Sequence, residues 1–423
     1  MSVVVRVLRV PPVLLLAALL PVYAGEAAVL PVTGAENADL VSFDKLMRSF
    51  MTEHNVPGAA LAVTKDSRLV YARGFGFADA QKKEPVQPTS LFRIASLSKS
   101  ITGVAVLQLV EQGKFGLDDK MLERLSPDMR PANIGDARLE QVTVRQLLHH
   151  TGGWDSAKSY DPMFRSVEIA KAEKADPPAA PEDIIRYMLR RKLDFDPGTR
   201  HAYSNFGYCI LGRIIERASG ETYETYVREK VLAPLGITAM RIGKTLPEGR
   251  AAGEVEYLDS KGRTGAAVVG APLGRKVPLP YGTFCLEALD AHGGWIASAV
   301  DLVRFAAAFD DPARCKILKP ESIKPMFERP EGPAGYETNG KPKAAYYACG
   351  WSVRPVGNTG KANTWHNGLL SGSSTIMVRR HDGINWAVLF NSDSDAKGKN
   401  LAGEIDGLVH QAADAVRKWP EGE

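Results

Sequence analysis

The chain is poor in cysteine and, past its first residues, has no long apolar run. Of 423 residues four are cysteine (Cys209, Cys285, Cys315 and Cys349), none before position 209. Thiols so few and so late exclude the dense disulfide framework of a small secreted scaffold, and leave no cysteine near the start to carry a lipid. No cysteine or histidine cluster has metal-ligand spacing; His149 and His150 are adjacent rather than one helical turn apart, so no metal and no cofactor is expected. Neither sign of charge dominates: 53 basic against 49 acidic residues give a net charge of +4, evenly spread, which offers no basic face to a nucleic acid. A 44% hydrophobic and 24% charged composition is that of an ordinary globular protein, and excludes disorder and a membrane bundle.

The one apolar run lies at the N-terminus. Arg6 and Arg9 precede Val13-Leu14-Leu15-Leu16-Ala17-Ala18-Leu19-Leu20, and Val22-Tyr23-Ala24 fits a small-x-small cleavage site. Residues 1–24 therefore read as a secretory signal and 25–37 as a linker, with a single domain at 38–420. The run is too short to span a bilayer comfortably, so an exported protein is expected, secreted or periplasmic, with no stable membrane insertion once cleaved. Leu30-Pro31-Val32-Thr33-Gly34 looks like a wall-sorting signal but stands at the wrong end with no apolar tail behind it.

Along the domain, the pattern predicts a helix near 38–53, then a hairpin from 59–64 and 69–75. The middle is mainly helical. A short helix starts near Thr143 and another at Pro181, a favourable first position. Residues 155–180, polar and rich in alanine and proline, read as a surface excursion, and 244–285 as loop with short strands. A clear hairpin returns at 373–380 and 384–390, followed by a helix over about 401–418. Strands at both ends with helices between them argue an α+β fold: an antiparallel sheet (about 38–95 and 285–420) flanked by helices, with an inserted, mainly helical part at about 96–284. Cys209 reads as a buried free thiol, and Cys285 with Cys315 as the pair to expect if a disulfide forms.

Chemistry concentrates at Ser96-Leu97-Ser98-Lys99. Ser-x-x-Lys on a helix puts a hydroxyl and an amine on one face, one turn apart. A desolvated lysine gives up its proton more readily than one in water and so can act as the base the serine needs. The pair alone is weak, since a chain this long shows it roughly once by chance. Indeed Ser42-Phe43-Asp44-Lys45 is a second copy, read as part of an ordinary amphipathic helix. The Ser96 copy instead heads Ile101–Val110, a run apolar nearly all round that predicts a buried helix ending at Gly113. Ser96 would then stand at the helix N-terminus, where backbone N–H groups favour developing negative charge.

Two further motifs follow in order, Tyr203-Ser204-Asn205 and His366-Asn367-Gly368. With Phe92–Lys99, Gln146–Gly153, Pro197–Tyr208, Pro234–Ile237 and Gly293-Gly294-Trp295, they make the chain from about Pro57 to Asn391 resemble the serine β-lactamase-like hydrolases: class C β-lactamases, low-molecular-weight penicillin-binding proteins, and related esterases and D-amino-acid peptidases. The resemblance implies a β-lactamase/transpeptidase-like fold and a small-molecule or peptide substrate. It further implies that Ser96 is the nucleophile of an acyl-enzyme, with Lys99 and Tyr203 sharing the base work. A phenol near ammonium groups is expected to deprotonate more readily. Asn205 would orient the substrate amide or Lys99, and the N–H groups of Ser96 and Leu369, just past Gly368, would form the oxyanion hole. The β-lactamases carry Lys-Thr-Gly where this chain has His366-Asn367-Gly368. A histidine is mostly neutral at pH 7 and holds a carboxylate less firmly than lysine, which favours the esterase and peptidase branches over β-lactam hydrolysis. A non-hydrolytic penicillin-binding sensor or scaffold is the alternative of another class.

Overall fold

The computed structural model describes residues 30–421; the expected signal at 1–24 lies outside them. The central sheet is built from both ends of the chain. Strands β1 (Gly58–Lys65) and β2 (Arg68–Asp79) come from the N-terminal part, and β3 (Ala362–Leu370), β4 (Ser373–Arg379) and β5 (Ile384–Phe390) from the C-terminal part. The order is β2-β1-β5-β4-β3, antiparallel throughout, and β1 pairs with β5 in the register Ala62↔Ala387. Short strands extend both edges: Val32–Thr33 beside β2, and Ser352–Pro355 then Tyr346–Tyr347 beside β3.

Period-two alternation sorts β1 between two layers. Leu61 and Val63 face helices α1 (Val41–His54) and α5 (Leu401–Asp414), meeting Phe43, Met47, Phe50, Ile405 and Val409. Ala60 and Ala62 face the larger core on the other side, where α4 (Ala299–Ala307) and the helical part pack; alanine lets α4 come close. The last helix stops at Asp414, short of the expected 418. Between the sheet segments run α2 (Ser98–Glu111) and α3 (Asn205–Ser219). Helix α2 is buried from Ser98 to Gln108, as its all-round apolar character predicts. It ends as foreseen, with Gly113 left-handed (φ 70°) and its N–H donating to the Val110 carbonyl.

Two expectations are corrected. All four thiols are free, and Cys285 and Cys315 belong to separate packing units: Cys285 to a small cluster with Val269 and Ala288, Cys315 to the edge of the main core. Residues 155–180 are not a mere excursion either. They hold a 3-10 turn (Pro162–Phe164) and a helix (Ser166–Glu173) that bury Met163, Ile169 and Ala170. The 244–285 region is loop with one small hairpin, Thr264–Ala266 against Lys276–Pro278.

Candidate active site

Ser96 sits in a 3-10 turn (Ala95–Leu97) that runs directly into α2. The residue before it, Ala95, is left-handed with φ 49°, a strained choice for a residue with a Cβ that persists only where its surroundings enforce it. Those surroundings are visible. The Ser98 hydroxyl donates to the Ala95 carbonyl at 2.6 Å, Thr375 to Ile94 O at 3.0 Å, and Ser373 to Arg93 O at 2.6 Å. Gly368 on β3 lies so close that a Cβ there would stand 2.2 Å from the Ile94 carbonyl oxygen. The third motif thus needs its glycine for contact with the turn that carries the first. Behind the turn, the buried Arg93 guanidinium donates to the carbonyls of Pro280 and Lys244 and lies over the Tyr257 ring, tying the 244–285 loop to the site.

Lys99 is fully buried. Its Nζ lies 3.1 Å from Ser96 Oγ, 2.7 Å from Asn205 Oδ1 and 2.8 Å from the His292 carbonyl oxygen. The last two are pure acceptors and take two of the amine's hydrogens. Burial pushes the Lys99 pKa well below the ordinary lysine value, with the charge of Asp161 working against the shift. In the neutral amine the third position is a lone pair, and it faces the serine hydroxyl.

Asn205 opens α3, with Ser204 as N-cap. Its Nδ2 donates to Asp161 Oδ2 at 2.6 Å. A carboxylate can only accept, so this bond fixes the amide and turns Oδ1 onto Lys99. Of the two roles open to Asn205, the structure shows the contact with Lys99. Burial raises the Asp161 pKa, while hydrogen bonds from Asn205 and the Met163 N–H, and the Lys99 charge, lower it. Asp161 was missed in the sequence because it stands in the polar, aperiodic 155–180 segment; its one local signal is the Asp-Pro step that caps the 3-10 turn.

Tyr203 stands over the site, its ring 38% exposed, the Lys99 Nζ 4.8 Å from the ring centre and the hydroxyl turned in to Ser96. The expected easy deprotonation is not seen. Its pKa is raised, first by desolvation of the hydroxyl and then by the Asp161 charge, with the Ser96 contact opposing. The neighbouring Lys99 amine, itself pushed toward its neutral form by burial, does not offset this. The Tyr203 segment is held from below by His150, whose Nδ1 accepts the Ser204 N–H at 3.2 Å and whose ring lies 4.4 Å from the Tyr203 ring.

His366 is buried and occupied within the protein. Its Nδ1 lies 2.7 Å from the Asn367 carbonyl, an acceptor, and therefore carries the proton; its Nε2 then accepts from the Tyr347 hydroxyl at 3.0 Å. Burial, and secondarily the Lys99 charge, lowers its pKa to about 3. It presents neither a charge nor a spare donor to a carboxylate. Leu369 is 52% exposed. Leu370 and Ser373 close the tight β3–β4 turn, so alternation makes Leu369↔Ser374 the pair without mutual hydrogen bonds and points the Leu369 N–H to the free edge. Among the described residues no group of three or more His, Cys, Asp or Glu side chains is arranged to hold a metal ion.

The second Ser-x-x-Lys copy is far from this chemistry. Ser42 donates its hydroxyl to the Ala412 carbonyl at 2.9 Å, joining α1 to α5, and Lys45 is exposed.

The model of the family described as Beta-lactamase matches residues 43–410. Among curated relatives, Protein flp of Staphylococcus aureus (strain N315) is 25% identical over 364 residues, 86% of this chain, which spans 65% of that relative's length. Penicillin-binding protein 4* of Bacillus subtilis (strain 168) is 27% identical over 361 residues, 83% of this chain and 72% of the relative. Among solved structures, the octameric penicillin-binding protein homologue from Pyrococcus abyssi superposes with a TM-score of 0.62 at 26% identity, covering 88% of this chain and 78% of the other. A family match over most of the chain, on a serine–lysine–tyrosine constellation, means that the chain belongs to the Beta-lactamase family.

Proposed function

We propose that the protein is an exported serine hydrolase that cleaves ester or amide bonds through an acyl-enzyme on Ser96, of the esterase or D-amino-acid peptidase type rather than a β-lactamase. The observation that carries this reading is the convergence of Ser96 Oγ on the Nζ of a fully buried Lys99 whose other two polar contacts are pure acceptors. In acylation the Oγ proton passes to the Lys99 nitrogen as the Oγ–carbon bond forms. The carbonyl oxygen takes up negative charge facing the Ser96 and Leu369 N–H groups. The carbon–leaving-group bond then breaks, and the leaving oxygen or nitrogen collects a proton from Tyr203, which Lys99 reprotonates. In the second half water attacks the acyl carbon and gives its proton to the same Lys99–Tyr203 pair; the acyl carbon–Oγ bond then breaks, Ser96 Oγ takes that proton back, and the acid is released.

A Tyr203 kept protonated suits a proton donor to the leaving group, and a Lys99 whose burial favours the neutral amine suits the base. His366, neutral and internally bonded, offers nothing to the carboxylate of a β-lactam, which supports the esterase and peptidase side. Export rests on the N-terminal pattern of residues 1–24. The test is p-nitrophenyl butyrate turnover by residues 25–423. The reading expects steady release that Ser96→Ala abolishes and Ser42→Ala retains; activity that survives Ser96→Ala contradicts it.

A further inference from the structure

Gly293-Gly294-Trp295 has no part in the chemistry above, yet it adjoins the His292 carbonyl that Lys99 uses. We propose that Thr102, Tyr223 and the Arg213–Asp290 pair are positioning residues for Lys99. They hold the Asp290–Gly293 turn so that its His292 carbonyl fixes the amine and leaves the third position to Ser96. This rests on the acyl-enzyme reading above and deepens it. A single four-residue turn has no helical stability of its own, so its place is set by what grips it.

Helix α2 grips the turn at two consecutive carbonyls. Lys99 Nζ lies 2.8 Å from His292 O; Thr102, three residues on and so on the same face, has its hydroxyl 2.5 Å from Ala291 O. Two oxygens that close share a proton, and a carbonyl has none to give, so the Thr102 hydroxyl donates. Its oxygen is met in turn by the Tyr223 hydroxyl at 2.7 Å, and that hydroxyl by Trp295 Nε1 at 3.0 Å. An indole N–H can only donate. The chain of bonds therefore has one direction, from Trp295 to Tyr223 to Thr102 to the Ala291 carbonyl. All three donors are buried, where bulk water does not replace a lost member.

Helix α3 grips the turn from another side. The buried Arg213 guanidinium donates to the Asp290 carboxylate, whose Oδ1 accepts the Ala291 N–H at 2.5 Å. Beside it, a Cβ on Gly212 would stand 2.7 Å from the Ala291 Cβ, so helix and turn meet without slack. At the far end a Cβ on Gly294 would stand 2.8 Å from the Leu286 carbonyl oxygen, and Trp295 O accepts the Ile94 N–H at 3.0 Å. The same segment thus also borders the strained approach to Ser96. Helix α3 supplies one acceptor of Lys99 directly, through Asn205, and holds the other through Gly212 and Arg213.

Thr102→Val keeps the shape of the side chain and removes the donor. With p-nitrophenyl butyrate, kcat and kcat/KM are expected to fall together by about tenfold to a hundredfold at unchanged KM, the size of a small misplacement of a catalytic group. Thr102→Ser, which keeps the hydroxyl, recovers most of the rate. Asp290→Asn keeps an acceptor for the Ala291 N–H, weakens the tie to Arg213 and lowers kcat by less. The double variant Thr102→Val/Asp290→Asn loses less than the product of the two factors, because both release one turn. Unchanged kcat in Thr102→Val overturns the proposal, as do a rise in KM alone, a Thr102→Ser that does not recover, or losses that simply multiply. Should Thr102→Val not fold, Tyr223→Phe, which removes only a hydroxyl from the same chain, takes its place with the same signature expected. Wild-type turnover that Ser96→Ala abolishes and Thr102→Val leaves unmoved overturns this inference alone. No wild-type turnover, or turnover that survives Ser96→Ala, removes the acyl-enzyme reading with it.

Discussion

The chain carries Ser-x-x-Lys three times, and two of the copies meet a helix: the one at Ser42 lies within α1, and the one at Ser96 runs from a 3-10 turn into α2. The third, Ser394-Asp395-Ala396-Lys397, lies in a loop. At α1, Ser42 and Lys45 lie at the edge of an amphipathic helix: the hydroxyl goes to a carbonyl of α5 and the amine to water. At α2, the helix is buried all round, the amine has lost its water, and two fixed acceptors leave its third position to the serine. The motif supplies only a distance. What converts the distance into chemistry is the desolvation of Lys99, the strained Ala95 turn that presents Ser96, and the glycine of β3 that lets that turn sit against the sheet. None of these three exists around Ser42.

The sharpest way to break the comparison is to exchange the hydroxyls and amines one at a time. Ser96→Ala is expected to lower kcat by at least about 10³-fold, and Lys99→Ala by a similar factor, because the two act as one unit. Ser42→Ala and Lys45→Ala leave kcat unchanged in the same p-nitrophenyl butyrate assay. A comparable loss at Ser42 would erase the distinction. Tyr203→Phe comes next, with a loss on the order of 10²-fold that is larger for an amide than for an activated ester, since only the poor leaving group needs the donated proton. Gly368→Ala is expected to cost roughly 10-fold or more in kcat by pushing the Ile94–Ala95 backbone away, while Gly407→Ala, a glycine of α5 with open space around it, costs nothing.

A pH profile sharpens the comparison from the side of the amine. The acid limb of kcat/KM reports Lys99, rising as the ammonium loses its proton, with a midpoint well below the ordinary lysine value of about 10.4. The Asp161 carboxylate favours the ammonium, so Asp161→Asn removes that support and shifts the limb to lower pH; a shift upward contradicts the arrangement. The smallest effect belongs to the α1 copy. Ser42→Ala removes the hydroxyl bond to Ala412 and is expected to lower stability by about 1 kcal/mol in denaturant unfolding, with no effect on chemistry.

Much of this was legible in the sequence where physics is local. The alternation of β1 and of the β4–β5 hairpin, the unbroken apolar surface of α2, and the order of the three motifs all follow from residues near one another in the chain. The unread parts depend on contacts between distant segments. Asp161 stands in a polar, aperiodic stretch and acquires meaning only when the 3-10 turn meets the start of α3. His366 was read as facing a substrate carboxylate because Tyr347, its actual partner, lies on another strand. The direction of the Tyr203 shift required knowing that Lys99 is dry, and a spacing cannot show that. The two cysteines taken as a pair fell to the same cause, packing in separate clusters.

The most direct test of the central claim is to trap the acyl-enzyme. Acid quench of the protein during p-nitrophenyl butyrate turnover, followed by intact-mass and peptide mapping, should show one butyryl group, on Ser96, in the wild type and in Ser42→Ala. It should be absent from Ser96→Ala and enriched in Tyr203→Phe, where deacylation lags. An adduct on any other residue, or turnover in Ser96→Ala, would contradict the account.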